Sequence, residues 1–350
     1  MKILLCDNGV PFDLKTPYNE SLGGSETTLL LLAKGLSELS HQIVLLTNIN
    51  YKDQERNIIL DNINLFDQYA EMSDVIILNR FIPKTIMEYT NKKKIFYISH
   101  DAYDQNNIKW MMNFQAESHL NKIICVSDWQ KETFIKYLHV DPNKLITLGN
   151  PIDYSLYYGS TERDSNKLIY ASIPFKGLEL LSDLFNEIKF KSKNEKLNLD
   201  IYSSFKMYNR EEENQKYNDV YSKLNNTENI NIYNSISMRN LAFKFKQSSF
   251  YIAPSTYHET FGRVFVEAMA SGCLPITLNN GANKEIIEDN GFVLDYSNIH
   301  NSEAFEKYTD LVCDLLEQNL YNKRINAERN MKKWDYIKLS KKLENIILKY

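Results

Sequence analysis

The 350-residue sequence has little of several features that would point to particular classes of protein. Its four cysteines, Cys6, Cys125, Cys273 and Cys313, are far apart and form no CxxC pair, which predicts buried reduced thiols rather than disulfides or a metal site. No stretch approaches the ~20 consecutive apolar residues of a membrane span. The apolar run after Met1 is too short for a signal peptide, so the expected location is cytoplasmic.

The sequence also lacks a large excess of charge of either sign, because its 41 Lys and Arg nearly balance its 45 Asp and Glu and give a net charge of −4. This balance gives no global attraction to a phosphate backbone, and nucleic acid is not an expected partner. Hydrophobic residues make up 43% and charged residues 25%, as in ordinary globular proteins. The length suits two domains, each large enough to bury its own core.

Short apolar runs alternate with longer stretches of helical period, which is typical of βα units around parallel sheets. The first helix is expected at about residues 25–39. Candidate strands of the first half are residues 2–6, 42–47, 75–78, 94–98 and 122–126. Candidate strands of the second half are residues 167–171, 199–202, 230–233, 250–253, 274–277 and 291–294.

The join between the halves is expected near residues 148–153, where Gly149, Asn150 and Pro151 interrupt the pattern. This predicts two Rossmann-like domains, residues 1–150 and 151–325, followed by a C-terminal helix in residues 326–350. The tail has helical period with many lysines between its apolar residues. It is interpreted as a surface helix that closes the domain pair, with a basic helix touching a membrane as the alternative.

The segment YIAPSTYHETFGRVFVEAMASG, residues 251–272, predicts a strand, a polar loop and a helix. The loop holds His258 and Glu259, and the helix begins near Phe261 and carries Glu267 about two turns beyond Glu259. Two glutamates at this spacing are weak support by themselves, since helix surfaces are rich in Glu. His258 has an open alternative in which it only shapes the loop.

The start of that helix is a candidate anion site. Backbone N–H groups around Phe261, Gly262 and Arg263 lack intrahelical partners and attract a diphosphate. Glu267 can then accept hydrogen bonds from ribose hydroxyls. The pattern therefore suits a nucleotide that lies across the helix start.

Three other loops that follow candidate strands hold chemically useful residues. Lys176 follows a strand in KLIYASIPFKGLELL, where a fixed cation can neutralise a diphosphate, although it is alternatively a surface lysine. Gly23-Gly24-Ser25-Glu26 precedes the first helix, which Ser25 is expected to cap. The loop lacks the G-x-G-x-x-G pattern of dinucleotide sites. His100 follows a strand directly, where α/β proteins bind ligands, although a lone histidine is often structural.

With its flanks, the segment at 251–272 resembles the E-x7-E motif of retaining GT-B glycosyltransferases of family four, which includes sucrose synthase and bacterial mannosyltransferases. The resemblance covers the loop, the Phe-Gly step, the EAMASG helix and the strand at Pro275. It implies that Glu259 faces the donor sugar and that Glu267 binds the nucleotide ribose. The family often has an arginine five residues before the lysine, and this sequence has Ala171 there. Arg263 is a candidate for the missing charge.

The same resemblance assigns the remaining donor-binding residues. It implies that Lys176 stabilises the leaving diphosphate, that Gly24 approaches the diphosphate and the acceptor, and that His100 lies beside the transferred sugar. Ile236 falls where family members hold the nucleobase. The implied fold is GT-B, two Rossmann-like domains whose parallel sheets face each other across a cleft, with the donor on the C-terminal side.

The implied activity is transfer of a sugar from a nucleotide diphosphate sugar to a glycan, lipid-linked or protein-linked acceptor, with retention at the anomeric carbon. We expect no metal, because no DxD-like aspartate pair follows a strand, and no cofactor beyond the donor. A catalytically silent nucleotide-sugar-binding or scaffolding module is the alternative, suggested by Ala171. An epimerase or a phosphorylase on the same fold is an enzyme alternative, although no pyridoxal lysine signature supports a phosphorylase.

Overall fold

The computed structural model describes residues 1–159 and 161–350, without the side chain of Asn107. Contacts divide the chain into two compact units. Unit 1 comprises Met1–Thr16, Leu22–Asp153 and Lys333–Tyr350, and unit 2 comprises Pro17–Ser21 and Tyr154–Lys332. The chain therefore changes unit close to the expected join. Residues 326–332 belong to unit 2 and residues 333–350 belong to unit 1, where the last helix contributes to the core.

Unit 1 contains an eight-stranded sheet in the order β3-β4-β2-β1-β5-β6-β7-β8. Its strands are β1 (Lys2–Asp7), β2 (Gln42–Thr47), β3 (Asp53–Glu55), β4 (Ile58–Asn62), β5 (Val75–Asn79), β6 (Lys94–Ser99), β7 (Lys122–Cys125) and β8 (Leu145–Thr147). All neighbours pair in parallel except β3 and β4, which are antiparallel at the edge. In the register, Ile3 of β1 lies opposite Ile43 of β2 and Val75 of β5.

The central strands of unit 1 are apolar on both faces because helices cover both faces of the sheet. In β1, Ile3 and Leu5 belong to one core cluster, and Leu4 and Cys6 belong to the other. The α-helices that begin in the first 153 residues are α1 (Thr16–Asn19), α2 (Gly24–Glu38), α3 (Phe66–Glu71), α4 (Asn106–Asn113) and α5 (Asp128–Leu138). Four 3-10 helices complete this part, at Ile63–Leu65, Lys84–Tyr89, Ala116–His119 and Pro142–Lys144.

Unit 2 contains a six-stranded sheet in the order β11-β10-β9-β12-β13-β14, with every neighbouring pair parallel. Its strands are β9 (Asp164–Ala171), β10 (Asn198–Tyr202), β11 (Ile230–Tyr233), β12 (Ser248–Ala253), β13 (Leu274–Leu278) and β14 (Phe292–Leu294). The α-helices of unit 2 after residue 153 are α6 (Tyr154–Tyr157), α7 (Leu181–Ser192), α8 (Asn218–Asn225), α9 (Met238–Gln247), α10 (Arg263–Ala270), α11 (Asn283–Ile287), α12 (Ser302–Leu316) and α13 (Tyr321–Met331). The last helix, α14 (Tyr336–Lys349), belongs to unit 1. The 3-10 helices are Leu178–Leu180, Lys206–Tyr208, Glu211–Tyr217, Glu288–Asn290 and Lys332–Trp334.

Every strand predicted from the sequence is present, with small shifts at the ends. The prediction missed the three-residue edge strands β3 and β8, and it missed the five-residue β4, which lies next to β3. Within the described residues, no helix combines the length and the apolar character needed to cross a membrane.

Helix α14 packs on α2 and supplies three residues, Leu339, Leu343 and Ile347, to the first core cluster of unit 1. The close approach depends on Gly35 of α2. A Cβ atom at Gly35 would lie 2.1 Å from Ser340 Oγ, 2.7 Å from Ser340 Cβ and 2.9 Å from the carbonyl oxygen of Tyr336. The backbone oxygen cannot rotate away, so the two helices have no room for a side chain at this point.

Replacing Gly35 with alanine is therefore expected to lower the free energy of unfolding by ~1–3 kcal/mol through overpacking. Helix propensity alone predicts the opposite effect, a rise of about 1 kcal/mol in the free energy of unfolding. Urea denaturation of Gly35→Ala, Ser340→Gly and the double variant measures the coupling between the two positions. A stabilised Gly35→Ala variant, or additive effects in the cycle, would contradict the close packing of α14 on α2.

Candidate functional site

Strands β9 and β12 lie side by side at the centre of the unit 2 sheet, and the order in which strands are added changes direction between them. From β9 the chain continues outward through β10 and β11, whereas from β12 it continues on the other side through β13 and β14. In open parallel sheets, ligands bind at the carboxyl ends of the strands beside such a switch point. Lys176 follows β9 and Glu259 follows β12, so the site begins with these two loops.

Lys176 is held at this switch point by its loop. The hydroxyl of the buried Tyr170 donates toward the carbonyl oxygens of Ile173 (3.1 Å) and Lys176 (3.2 Å), which fixes the turn after β9. Lys176 Nζ lies 2.5 Å from Glu259 Oε1 and 4.5 Å from the centre of the Tyr257 ring. The Lys176 and Glu259 side chains are only 18% and 16% exposed. The structure thus brings together two residues that are 83 positions apart.

The backbone of Glu259 is fixed from the loop after β13. The amide of Ala282 donates to the Glu259 carbonyl oxygen at 2.7 Å. Gly281 has a φ of +65°, and a Cβ atom there would lie 2.2 Å from the same carbonyl oxygen. Sequence reasoning missed Gly281, although Asn280-Gly281 is a turn signal after an apolar strand.

Helix α10 begins at Arg263, two residues later than expected, with Gly262 at the N-cap position. The Phe265 amide donates to the Gly262 carbonyl oxygen at 2.9 Å. The Phe261 side chain is buried in the unit 2 core. The role of residues 261–263 as backbone donors stays a prediction.

Glu267 lies in the second turn of α10, is 2% exposed, and forms an ion pair in which its Oε1 is 3.0 Å from Arg263 Nη2. Burial raises the pKa of Glu267, while Arg263 and a hydrogen bond from Tyr157 act to lower it. Among the described residues, no hydrogen-bond partner is found for the buried Arg263 Nη1. Arg263 therefore contacts Glu267 through Nη2 alone. Sequence reasoning missed Tyr157, whose position in a short helix before β9 gives no signal.

Ile236 lies in the loop between β11 and α9, on the same edge of the unit 2 sheet, and is half-buried. Next to it, Ser235 Oγ and Ser204 Oγ are 2.8 Å apart and join this loop to the loop after β10. Ala171, which replaces the arginine of the resembled family, is the buried last residue of β9.

Two predicted residues lie at the carboxyl edge of the unit 1 sheet. Gly24 is the first residue of α2, and His100 follows β6 directly and is half-buried. The prediction that Ser25 caps α2 is wrong. The N-cap is Gly23 without a side-chain hydrogen bond, because the helix starts at Gly24 and leaves Ser25 inside its first turn. The Ser25 hydroxyl instead donates to Glu26 Oε2 at 2.9 Å.

Sequence reasoning missed a charged cluster at the same edge of unit 1. Arg80 Nη2 lies 2.6 Å from Glu26 Oε1 and 3.3 Å from Asp7 Oδ2, and both carboxylates are buried. The available signal was an aspartate at the end of β1 and an arginine directly after the apolar β5. For residues 1–159 and 161–350, no group of three or more His, Cys, Asp or Glu side chains could hold a metal ion.

Comparison with known sequences finds similarity to glycosyltransferases. Residues 164–334 match the family model described as glycosyl transferases group 1. An uncharacterized glycosyltransferase of Methanocaldococcus jannaschii is 25% identical over 327 residues, which cover 84% of this chain and 86% of that protein. The matched family segment contains Lys176, Ile236, Glu259 and Glu267.

Solved structures with the same fold cover nearly the whole chain. Sucrose-phosphate synthase from Thermosynechococcus elongatus superposes with a TM-score of 0.75 at 13% identity, over 99% of this chain and 98% of that one. Anabaena HepE, solved in complex with UDP and glucose, gives a TM-score of 0.73 at 16% identity over 100% of both chains. The fold is therefore GT-B, and these similarities together support a glycosyltransferase.

Proposed function

We propose that this protein is a retaining, metal-independent glycosyltransferase that uses a nucleoside diphosphate sugar. The observation that carries the proposal is the Lys176–Glu259 pair at the unit 2 switch point, beside the start of α10. An ammonium group has three N–H donors, so Lys176 can keep Glu259 and still contact a diphosphate. Metal independence is proposed because this lysine and the helix-start amides can supply the required positive charge.

In the proposed reaction, the bond between the anomeric carbon and the diphosphate oxygen breaks and negative charge grows on that oxygen. Lys176 and the amides of residues 261–263 stabilise this charge. The acceptor hydroxyl bonds to the same face of the sugar, and the departing phosphate oxygen takes its proton, so no separate carboxylate base is required. Glu259 is proposed to orient the donor sugar.

The nucleoside part of the donor is proposed to contact two other residues of unit 2. Glu267 accepts hydrogen bonds from the ribose hydroxyls, and Ile236 packs against the base. The HepE complex contains UDP and glucose, which makes UDP-sugars the first donors to test. Gly24 and His100 at the unit 1 edge remain predictions from the resemblance, as does a glycan, lipid-linked or protein-linked acceptor.

The test is calorimetric titration of the purified protein with UDP, GDP, ADP and their sugars, in EDTA, followed by a turnover assay. We expect one nucleotide to bind, and the product formed with an added acceptor to keep the anomeric configuration of the donor by NMR. Binding without release of the diphosphate under any acceptor would instead support the silent binding module. Activity that EDTA abolishes would contradict metal independence, and an inverted product would contradict retention.

A further inference from the structure

Unit 1 has a cavity of about 620 Å³ at the edge of its sheet where the parallel strands begin, called here the amino edge. The stretches that lead into β5, β6, β7 and β8 form its lining, and each lining residue precedes one of these strands by at most four positions or is its first residue. Ligands of open α/β sheets bind at the opposite, carboxyl edge. Sugar transfer therefore does not account for this cavity, whose volume is within the ~300–1,000 Å³ usual for small-molecule sites.

The lining of this amino-edge cavity is strongly positive. It contains four lysines, which are Lys92, Lys93, Lys94 and Lys144. Asp74 supplies the one carboxylate of the described lining, so the net charge there is +3 with His119 neutral. The charged residues directly adjacent to the lining in the sequence, Glu117 and Lys122, cancel each other.

The positive charge is not neutralised by the protein. Among the described residues, none of the four lysines is ion-paired with a carboxylate. Asp74 Oδ2 instead accepts a hydrogen bond from the backbone amide of Lys2 at 2.8 Å. Like charges gathered in one cavity repel one another, and a bound anion would remove this cost.

Backbone carbonyl oxygens hold three of the ammonium groups in place, and these three lysines are half-buried. The donor and acceptor pairs are Lys93 Nζ and Glu71 O (2.9 Å), Lys94 Nζ and Ile347 O (2.7 Å), and Lys144 Nζ and Leu120 O (2.6 Å). A neutral carbonyl group positions the ammonium group without cancelling its charge. Because an ammonium group has three N–H donors, each of the three lysines keeps two for a ligand.

The charge and the donors favour a phosphate group as the ligand. A phosphate monoester carries about −1.5 to −2 at neutral pH, against −1 for a carboxylate, and its three terminal oxygens can accept from several ammonium groups at once. The hydroxyl group of Ser118 adds a further donor to the lining. A nucleic-acid backbone would need a longer row of cations than one cavity provides.

We infer that the amino-edge cavity of unit 1 binds a phosphate-bearing anion through Lys92, Lys93 and Lys144. The phosphate group belongs either to a soluble phosphorylated metabolite or to a phospholipid headgroup, since both present the same chemistry. The inference is independent of the proposed function, because the cavity contains none of the residues assigned to the donor and lies at the other edge of unit 1 from Gly24 and His100.

The experiment has a soluble arm and a vesicle arm, both with the full chain at low ionic strength. Calorimetric titration compares glycerol 3-phosphate, inorganic phosphate and acetate. Sedimentation compares phosphatidylcholine vesicles with and without phosphatidic acid. We expect the phosphate group to bind in at least one arm, with glycerol 3-phosphate at least ~10-fold tighter than acetate if the ligand is soluble, and we expect added salt to weaken binding.

The double variant Lys93→Gln/Lys144→Gln should weaken phosphate binding at least ~10-fold, because it removes two charges while glutamine can still donate to the same carbonyl oxygens. Lys92→Glu should have a similar effect. Lys92 is exposed and its ammonium group has no partner among the described residues, so this variant tests the charge without disturbing the packing.

Lys131→Gln/Lys136→Gln is the matched control, since it removes the same charge from α5 of unit 1, outside the cavity lining. It should leave phosphate binding unchanged. Binding of glycerol 3-phosphate without vesicle binding assigns the site to a soluble ligand, and vesicle binding that the Lys93→Gln/Lys144→Gln variant loses assigns it to a headgroup.

Three outcomes would overturn the inference. The first is no phosphate binding in either arm, and the second is an equal loss in the two double variants. The third is phosphate binding that Lys176→Met abolishes and Lys93→Gln/Lys144→Gln leaves unchanged, because this would place the anion in unit 2.

Discussion

Replacing Lys176 with methionine is expected to lower the turnover number by ~10²–10³-fold, with a smaller rise in the KM for the donor. The diphosphate already carries charge in the ground state, but more charge develops on the leaving oxygen as the sugar bond breaks. The loss therefore falls mainly on the transition state. The measurement is the rate of nucleoside diphosphate release at saturating donor, with Lys176→Arg expected to recover part of the activity.

Lys189 offers a matched control for this variant. It lies on α7 of the same unit, is 15% exposed, and pairs with Glu228 at 2.8 Å, so its substitution also removes a partly buried lysine from an ion pair with a glutamate. Lys189→Met should leave the turnover number unchanged, because it lies on a helix away from the strand ends. A Lys176→Met enzyme that keeps the turnover number within about twofold of the wild-type value would refute the leaving-group role of Lys176.

The second large effect is expected at Glu267, as a loss of discrimination between ribose and deoxyribose nucleotides. Hydrogen bonds to a carboxylate contribute ~1.5–3 kcal/mol, so the wild-type protein should bind the 2′-deoxy or 3′-deoxy nucleotide ~10–100-fold more weakly. Glu267→Gln should lose most of this preference, because an amide lacks the negative charge that strengthens these bonds. Calorimetric titration with the ribo and deoxy nucleotides measures both proteins.

The same carboxylate predicts the pH dependence of nucleotide affinity. Burial raises the pKa of Glu267, so the carboxylate form is present above this raised pKa and is lost as the pH falls through it. Affinity should therefore decline at a higher pH than an exposed glutamate would give, and the decline should be absent in Glu267→Gln.

Glu328 is a matched control, since it is a buried glutamate of unit 2 whose pKa is also raised by burial, but it lies on α13. Glu328→Gln should keep the ribose preference. An unchanged ribose preference in Glu267→Gln would remove Glu267 from the nucleotide site.

The sequence was sufficient to predict the central strands because they are buried on both faces and appear as continuous apolar runs. Strands β3 and β8 have three residues each, and β3 is fully exposed, so they carry no periodic signal. The sequence also did not identify the helix against which the tail packs. Its apolar residues indicate a buried face, but nothing in local periodicity identifies α2 as the partner, and that pairing depends on the absence of a side chain at Gly35.

At the candidate site, the sequence predicted the charged residues of unit 2 but not the residues that position them. Lys176 and Glu259 were each predicted from a strand end, and their contact follows from the adjacency of β9 and β12, which sequence periodicity does not define. The supports of these residues, Tyr170 and Gly281, gave weaker signals because a buried tyrosine and a turn glycine occur in any α/β domain. Ala171 is a small buried residue and supplies no charge to the site. A turnover assay therefore has to show whether the protein is active without the arginine of the resembled family.

The path of the chain through its two units affects the order in which they can be completed during synthesis. Unit 1 takes Leu339, Leu343 and Ile347 from its last segment, Lys333–Tyr350, whereas unit 2 is nearly all contained in Tyr154–Lys332. During synthesis, nearly all residues of unit 2 are therefore present before α14 exists to cover the apolar side of α2. A nascent chain that still lacks residues 333–350 can complete unit 2 but leaves leucines of unit 1 exposed, and exposed apolar surface of this kind is what chaperones recognise.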